Sequence, residues 1–271
     1  MNTISFTWPH CKSGAFTTSW DDGTVYDREL VAILNRHGIK GTFNLNSGKL
    51  GLSPQQSKWH GYVAADEVKS LYAGHEVAVH SVTHPALWYL SDDIIRSEVM
   101  EDRRALERLV HYPVNGMAYP YGGPRQERIV KVLHECGIRY SRSVVDQKDF
   151  NHPDEFLYWN PTGHWQNNAD REWARFCSCE YTGKLMYLWG HSYECYEGQC
   201  FDTLDTLCAL MGGADNIWYA TNMEVYDYLH AWRTLQCSVD LGAVKNRSGI
   251  PLWITGNGKL HRIESNGIAV L

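Results

Sequence analysis

The chain has 271 residues, of which 44% are hydrophobic, so it can bury a sizeable core and wholesale disorder is excluded. Its 25 basic and 31 acidic residues give a net charge of −6 without a Lys/Arg block, which argues against a nucleic-acid partner. No stretch approaches the roughly 18 apolar residues of a membrane span, and residues 1–9 lack the features of a signal peptide. The 8 cysteines fit buried thiols of a reducing compartment, so we expect a cytoplasmic protein without membrane contact.

Helical and strand-like segments alternate along most of the chain, and several helices end at a glycine. The predicted strands cover residues 17–23, 39–45, 76–79, 116–119, 138–143, 185–189 and 217–220. The predicted helices cover residues 30–37, 66–73, 91–109, 129–133 and 203–211. This alternation predicts a mostly parallel α/β sheet, and polar residues directly after several strands favour a (β/α) barrel, whose active sites lie at those strand ends.

The last part of the chain follows a different pattern. From about residue 241 the helical period vanishes, and residues 250–255, 259–263 and 268–271 alternate with Gly/Asn turns. We therefore predict a main domain over residues 1–240 and a small β-strand appendage over residues 241–271.

Two polar clusters stand at predicted strand ends. Asp21 and Asp22 end the first strand, and His80 and His84 follow the strand at 76–79. One carboxylate and two imidazoles form a three-ligand shell typical of catalytic zinc or ferrous iron, and the second carboxylate is then free to act as a base. Each cluster alone is more typical of a turn or of a packed histidine pair. Their joint position at strand ends favours a metal site.

Four segments together resemble the NodB-homology polysaccharide deacetylases, carbohydrate esterase family four, over about residues 15–230. They are Ser-Trp-Asp-Asp-Gly at 19–23, the Gly-His-Glu segment with its two histidines at 74–84, Tyr-Pro-Tyr-Gly at 119–122 and Leu-Trp-Gly-His at 188–191. The resemblance implies that Asp21 is the general base and His191 the general acid. It also implies that Asp22, His80 and His84 are the metal ligands, and that the backbone N–H of Tyr121 binds the oxyanion.

The family further implies a deformed (β/α) barrel with about seven parallel strands. It also implies a divalent metal, usually Zn2+, with Co2+, Mn2+, Ni2+ and Fe2+ as alternatives, and hydrolysis of an N-acyl amide on an amino sugar or oligosaccharide. The 11 Trp and 16 Tyr agree with a carbohydrate ligand, since sugar rings stack on aromatic faces. We expect substrate contacts from Trp20, Pro120, Trp159, His164, Trp189 and Glu194.

Two features depart from the family pattern. The arginine that the third motif carries two residues before its proline is replaced by Ala118, so a positive charge near Asp21 must come from elsewhere. The Asp-rich fourth motif, which orients the catalytic histidine, is absent, and His164 or Glu194 could replace it. The segment Trp-Gly-His-Ser-Tyr-Glu at 189–194 resembles a cytoplasmic branch of the family.

Two alternatives to an amino-sugar deacetylase stay open. The first is a deformylase or amidohydrolase that acts on a non-sugar amide with the same fold. The second is a non-catalytic carbohydrate-binding protein, against which the complete set of Asp21, Asp22, His80, His84 and His191 argues. The acyl group, the sugar, the metal and the oligomeric state are open at this stage.

Overall fold

The structure is a computed structural model that describes residues 2–271. The strands are β1 (Ile4–Phe6), β2 (Gly14–Asp22), β3 (Gly41–Leu45), β4 (Glu76–Val79), β5 (Gly116–Ala118), β6 (Tyr140–Arg142), β7 (Gly163–His164), β8 (Lys184–His191), β9 (Ile217–Tyr219), β10 (Gln236–Cys237), β11 (Ala243–Lys245), β12 (Leu252–Gly256), β13 (Lys259–Ile263) and β14 (Ile268–Val270). The α-helices are α1 (Asp27–Arg36), α2 (Pro54–Ser57), α3 (Val68–Leu71), α4 (Asp92–Val110), α5 (Glu127–Glu135), α6 (Ala169–Ser178), α7 (Ser192–Glu197), α8 (Phe201–Met211) and α9 (Asn222–Arg233).

The main sheet is parallel throughout and has the order β6-β5-β4-β3-β2-β8-β7. The short strand β9 pairs with the first residues of β2, where β3 does not reach. These strands curl into a deformed (β/α) barrel, which confirms the predicted fold class and the number of about seven parallel strands. The strand β7 was not predicted, because two residues carry no recognisable pattern.

One irregular segment connects the two edges of this sheet. Arg142 at the β6 edge forms a parallel bridge with Trp159, and Ser143 N–H donates to Trp159 O at 2.9 Å. A few residues later, β7 pairs with β8 at the opposite edge. Residues 159–164 therefore close the barrel.

The helices bury the apolar stripes that the sequence indicates. In α1 the buried positions include Leu30 and Leu34, and in α4 they include Ile95, Val99 and Leu106. The helix predicted at 66–73 is instead a 3₁₀ turn, Ala65–Glu67, followed by α3, since this stretch is too short to form a regular helix. Among residues 2–271, none of the helices combines the length and the apolar character needed to cross a membrane.

Two small antiparallel sheets, β1-β12-β13 and β10-β11-β14, hold the last part of the chain. The second hairpin strand β13 has the predicted bounds. Strand β1, which was not predicted, pairs Ile4 with Gly256 and so ties the first residues of the chain to the last sheet. The boundary at residue 241 stays a prediction, since both sheets also include strands from before it.

Candidate active site and metal centre

The strand register brings the predicted site residues to one end of the barrel. Asp21 near the end of β2 lies opposite Asn44 on β3 and His191 on β8. His80 follows β4 directly, and Asp22 is the last residue of β2. These side chains face a cavity of about 470 Å³ whose walls are formed by Asp21, Asp22, Lys49, Trp59, His80, His84, Tyr119, Tyr121, Val144, Trp189, His191 and Tyr193.

Asp22, His80 and His84 form a group that fits a metal ion. The Nε2 atoms of His80 and His84 lie 3.8 Å and 3.4 Å from Oδ1 of Asp22. This buried oxygen has no hydrogen-bond donor among the described residues. Since Nδ1 of His80 donates to the carbonyl of Ala118 at 2.8 Å, its Nε2 carries the free lone pair. A carboxylate oxygen without a donor and imidazole nitrogens facing it are a suitable ligand set for a divalent cation.

Burial keeps both imidazoles in the neutral form that binds metals. Burial lowers the pKa of His80, against the opposing effect of Asp21 and Asp22. Burial lowers the pKa of His84 to about 2, with further contributions from His80 and Lys49. The loop that carries both residues is therefore ready to bind a cation without releasing protons.

Buried polar side chains fix the backbone of this loop. Asp102, which is fully buried in α4, accepts hydrogen bonds from the N–H groups of His80 (3.0 Å) and Ser47 (2.7 Å). The side-chain amide of Asn46 donates to the carbonyls of His80 and Ser81 at 2.6 Å and 2.9 Å. The histidine loop is thus bound to the loop that follows β3.

Arg142 supplies the positive charge that Ala118 lacks. These two residues are register partners on the neighbouring strands β5 and β6, and Arg142 forms a buried ion pair with Asp21. Its guanidinium also lies 4.5 Å from the ring centre of Trp189. Burial opposes ionisation of Asp21, but the charge of Arg142, with further contributions from His80 and His191, lowers its pKa to about 2. Sequence reasoning missed Arg142, although an arginine inside a predicted barrel strand is itself a signal.

The carboxylate of Glu194 contacts both the imidazole and the backbone of His191. Its Oε1 lies 3.0 Å from His191 Nδ1, and its Oε2 accepts from the His191 backbone N–H at 3.1 Å. The same carboxylate lies 3.2 Å from Nε2 of His164 and accepts from Trp165 Nε1 at 3.1 Å. Burial opposes protonation of His191, but the Glu194 hydrogen bond and the charge of Asp21 raise its pKa overall. The structure therefore places Glu194 and His164 beside His191, outside the cavity wall.

The structure places Trp20, Pro120 and Trp159, which are predicted to contact substrate, outside the cavity wall. Trp20 and Trp159 are 2% and 1% exposed and pack in the core, and Pro120 is buried as well. These side chains pack inside the barrel and do not line the cavity. Trp189 does line the cavity, and sequence reasoning missed Lys49, Trp59, Tyr119, Val144 and Tyr193. Tyr193 stands two residues after His191, which was a usable signal, whereas nothing marked Trp59.

The position of Tyr121 agrees with its predicted backbone role. The residue has a positive φ of 59°, its side chain is 64% exposed, and its ring contacts that of His84. Its backbone N–H has no hydrogen-bond partner among the described residues. This N–H is available to a ligand in the cavity.

Residues 11–141 match the family model described as polysaccharide deacetylase. This region of the chain is similar to the polysaccharide deacetylase family. The matched region contains Asp21, Asp22, His80, His84 and Tyr121, whereas His191 and Glu194 lie beyond it. A sequence comparison with curated proteins finds no match.

Solved structures of similar fold include proteins described as deacetylases. A Mycobacterium smegmatis protein described as a polysaccharide deacetylase is 16% identical, with a TM-score of 0.58 over 86% of this chain and 96% of the other. A mutant CE4 family pseudoenzyme with restored activity from Bacillus anthracis is 20% identical, with a TM-score of 0.51 over 82% and 70%. The Streptococcus pyogenes deacetylase PplD is 19% identical with a TM-score of 0.46, and this chain spans only 61% of it. At these identities the first two structures show a shared fold.

Proposed function

We propose that the protein is a metal-dependent hydrolase that removes an N-linked acetyl group from an amino sugar or an oligosaccharide. The observation that carries this proposal is the arrangement of Asp21, Asp22, His80, His84 and His191 around one cavity. Hydrolysis of an amide needs a water that can be deprotonated and an amine that leaves in protonated form. A carboxylate and a histidine of raised pKa around the same cavity as a ligand triad fit both needs.

Asp22, His80 and His84 would hold the divalent ion, for which we propose zinc, with Co2+, Mn2+, Ni2+ or Fe2+ as alternatives. When bound, such an ion polarises an acyl carbonyl and lowers the pKa of water. The support for this site is the donor-free Oδ1 of Asp22 and the free Nε2 of His80. Three protein ligands leave room for substrate, as catalytic sites require.

Asp21 is the proposed general base. With a pKa of about 2 it is ionised at neutral pH and can accept a proton from the attacking water. Asn44 donates to its Oδ1 at 2.8 Å, which fixes the orientation of the carboxylate. Its Oδ2 lies 3.8 Å from His80 Nε2 and 3.9 Å from His191 Nε2, so it faces the centre of the site.

His191 is the proposed general acid, and Tyr121 the proposed oxyanion donor. The raised pKa of His191 favours the imidazolium, which can protonate the departing amine through Nε2 because Nδ1 is held by Glu194. The free N–H of Tyr121 can donate to the developing oxyanion, an interaction typically worth about 3 kcal/mol. The aromatic walls of Trp59, Trp189 and Tyr193 are suited to a sugar ring.

The first test is the metal content of the purified protein by elemental mass spectrometry. We expect about one ion per chain in the wild type and in the control Asp66→Ala, whose carboxylate is exposed outside the cavity, and loss of the ion in Asp22→Ala. Absence of metal from all three after incubation with zinc would contradict the proposed site.

The second test is release of acetate from N-acetylglucosamine oligomers and from N-acetyl amides without a sugar, and release of formate from N-formyl amides without a sugar. We expect release from the sugars, and Asp21→Asn should abolish turnover while keeping the metal. Release only from the non-sugar amides would favour the amidohydrolase alternative. Tight sugar binding without any acetate release would favour a carbohydrate-binding protein.

We also propose a cytoplasmic location. The support is that all eight cysteines are free thiols in the structure, although only Cys136, Cys195 and Cys208 are buried as expected, and Cys177 and Cys237 are exposed. Cell fractionation with an antibody against the protein tests this directly, and recovery outside the cytoplasm would contradict it.

A further inference from the structure

One cation in the cavity wall lacks an ionic partner among the described residues. Lys49 lines the cavity, as Trp59 does, and its side chain is partly buried. Its ammonium group lies 5.5 Å from the ring centre of Tyr62, and no hydrogen bond or ion pair of this group is found within residues 2–271. By contrast, Asp21 is paired with Arg142, and His191 is paired with Glu194.

The backbone of Lys49 is tied to the loop that carries His80 and His84. Lys49 N–H donates to Asn46 O at 2.9 Å, and Gly48 N–H donates to Val82 O at 3.1 Å. Gly48 is required for this close approach, since a Cβ there would lie 2.7 Å from Val82 O. The ammonium is therefore carried by a fixed turn at the cavity wall, unlike a lysine on a mobile surface loop.

Once a divalent ion is bound, the positive charge of Lys49 has no counter-charge among the described residues of the cavity. Arg142 neutralises Asp21, and a divalent ion held by Asp22, His80 and His84 would more than neutralise the Asp22 carboxylate. Burial lowers the pKa of Lys49, an effect that Asp22 opposes, so an additional anion nearby would stabilise the ammonium. A partly buried cation without a counter-charge is a suitable binding point for an anionic ligand group.

We infer that Lys49 binds an anionic group of the substrate, and that the substrate class is therefore an N-acylated amino sugar that carries a carboxylate or a phosphate. The sugar ring would contact the aromatic wall of Trp59 and Tyr193, whose rings lie 4.5 Å apart, while the anion contacts the ammonium next to it. This inference rests on the proposed function and adds a specificity-determining residue to it.

The first experiment measures the binding of sugars that carry no acyl group. Zinc-loaded protein is titrated with glucose, glucuronate and glucose 6-phosphate by calorimetry. We expect at least one of the anionic sugars to bind about 10-fold more tightly than glucose. The preference should persist in Lys49→Arg and be lost in Lys49→Met. The control Lys69→Met removes an exposed lysine of α3 and should keep the preference. The two anionic sugars distinguish a phosphate from a carboxylate ligand.

The second experiment measures acetate release from N-acetylglucosamine, N-acetylglucosamine 6-phosphate and N-acetylmuramic acid. We expect Lys49→Met to raise KM for the preferred anionic sugar about 10-fold more than for the neutral one. If Lys49→Met raises KM equally for neutral and anionic sugars, or changes KM for neither, the inference is overturned. Lys49-dependent binding of anionic sugars without acetate release from any sugar contradicts the proposed function but supports the role of Lys49.

Discussion

Arg142 on β6 supplies a positive charge that the resemblance predicts at the neighbouring position on β5. Its register partner on β5 is Ala118, the position from which the resemblance led us to expect an arginine. Arg142 and Asp21 are both almost completely buried, at 0% and 3% exposure. Because removal of one partner leaves an uncompensated buried charge, the pair is expected to be costly to break.

We predict that Arg142→Met lowers kcat/KM at least 10-fold and shifts its acid limb to higher pH. The reason is that loss of the guanidinium raises the pKa of Asp21 from about 2, so a larger fraction of the base is protonated at a given acidic pH. The measurement is the pH profile of acetate release together with the metal content, which reports an intact ligand triad.

Arg139→Met is the matched control for Arg142→Met. Arg139 is exposed, lies just before β6 and pairs with Asp227 at 3.3 Å, so its loss should leave the profile unchanged. An Arg142→Met protein that keeps its metal and has the wild-type pH profile would contradict the proposed role of this arginine.

A second prediction concerns Glu194 as a positioning residue for His191. In Glu194→Gln, one of the two accepting oxygens becomes an NH2 group and the negative charge is lost, so the pKa of His191 should fall. The alkaline limb of kcat/KM should then move to lower pH, with a loss of about 10- to 100-fold at pH 8. The pKa itself can be followed by NMR titration of the His191 ring protons.

Glu197→Gln provides the comparison for Glu194→Gln. Glu197 belongs to the same short helix α7, is half-exposed and lies 2.9 Å from His60, outside the cavity wall. Both variants remove one charge from α7, but only Glu194→Gln should lower the pKa of His191. Equal titration curves in the two variants would exclude Glu194 as the partner that sets this pKa.

Sequence patterns located the polar residues at strand ends, but not the charged partner of Asp21 or the aromatic residues that complete the cavity wall. Asp21, Asp22, His80, His84 and His191 come together around one cavity, since the parallel register aligns the ends of β2, β4 and β8. Arg142 could not be assigned to Asp21 without the β5–β6 register. Trp59 reaches the cavity from an irregular loop, for which no periodicity exists.

At the scale of elements, several of the longer strands and helices were predictable because their apolar patterns are strong, whereas the helices α6 and α9 were not predicted. The predicted helix at 203–211 corresponds to α8, and the predicted strand at 185–189 corresponds to the central part of β8. The short strands β1 and β7 were missed, because they are held by pairing with residues distant in the sequence.

Strand β4 begins with a buried carboxyl group whose contacts belong to several elements. Glu76 accepts from Tyr140 Oη at 2.7 Å on β6, from Thr42 Oγ1 at 2.9 Å on β3 and from Met223 N–H at 2.8 Å in α9. Burial raises its pKa from 4.5 to about 7, although these hydrogen bonds oppose the shift. The group therefore links three strands and a helix inside the barrel.

We predict that Glu76→Gln makes the protein more stable relative to wild type as the pH rises. A carboxyl of raised folded-state pKa is neutral in both states below about pH 4.5, and its ionisation destabilises the fold progressively as the pH rises through about 7. The difference in unfolding free energy between variant and wild type should grow by up to about 3 kcal/mol between pH 5 and 8.5.

Urea unfolding at several pH values measures this difference. A glutamine can keep the contacts, with its NH2 directed at the Tyr140 oxygen and its carbonyl at Met223 N–H. Glu29→Gln, at an exposed position of α1, controls for the general loss of a negative charge. A variant-minus-wild-type difference that stays flat across this range would contradict the raised pKa of Glu76.

At the scale of the whole molecule, the alternation of helices and strands predicted the parallel barrel, but not how it closes. Closure depends on the bridge between Arg142 and Trp159 and on β7, which involve only a few residues. The β appendage was predicted from its Gly/Asn turns, whereas its pairing with β1 joins residues about 250 positions apart. Contacts of this range have no local pattern in the sequence.

The closure of the barrel at residues 159–164 also has a consequence for how activity is lost under stress. Arg142 is the last residue of an outer strand, β6, which is held by β5 on one side and by the single bridge to Trp159 on the other. Short, lightly held outer strands fray before a core melts. The catalytic carboxylate would then lose its counter-charge while most of the barrel is still folded, so inactivation by heat or urea should precede global denaturation.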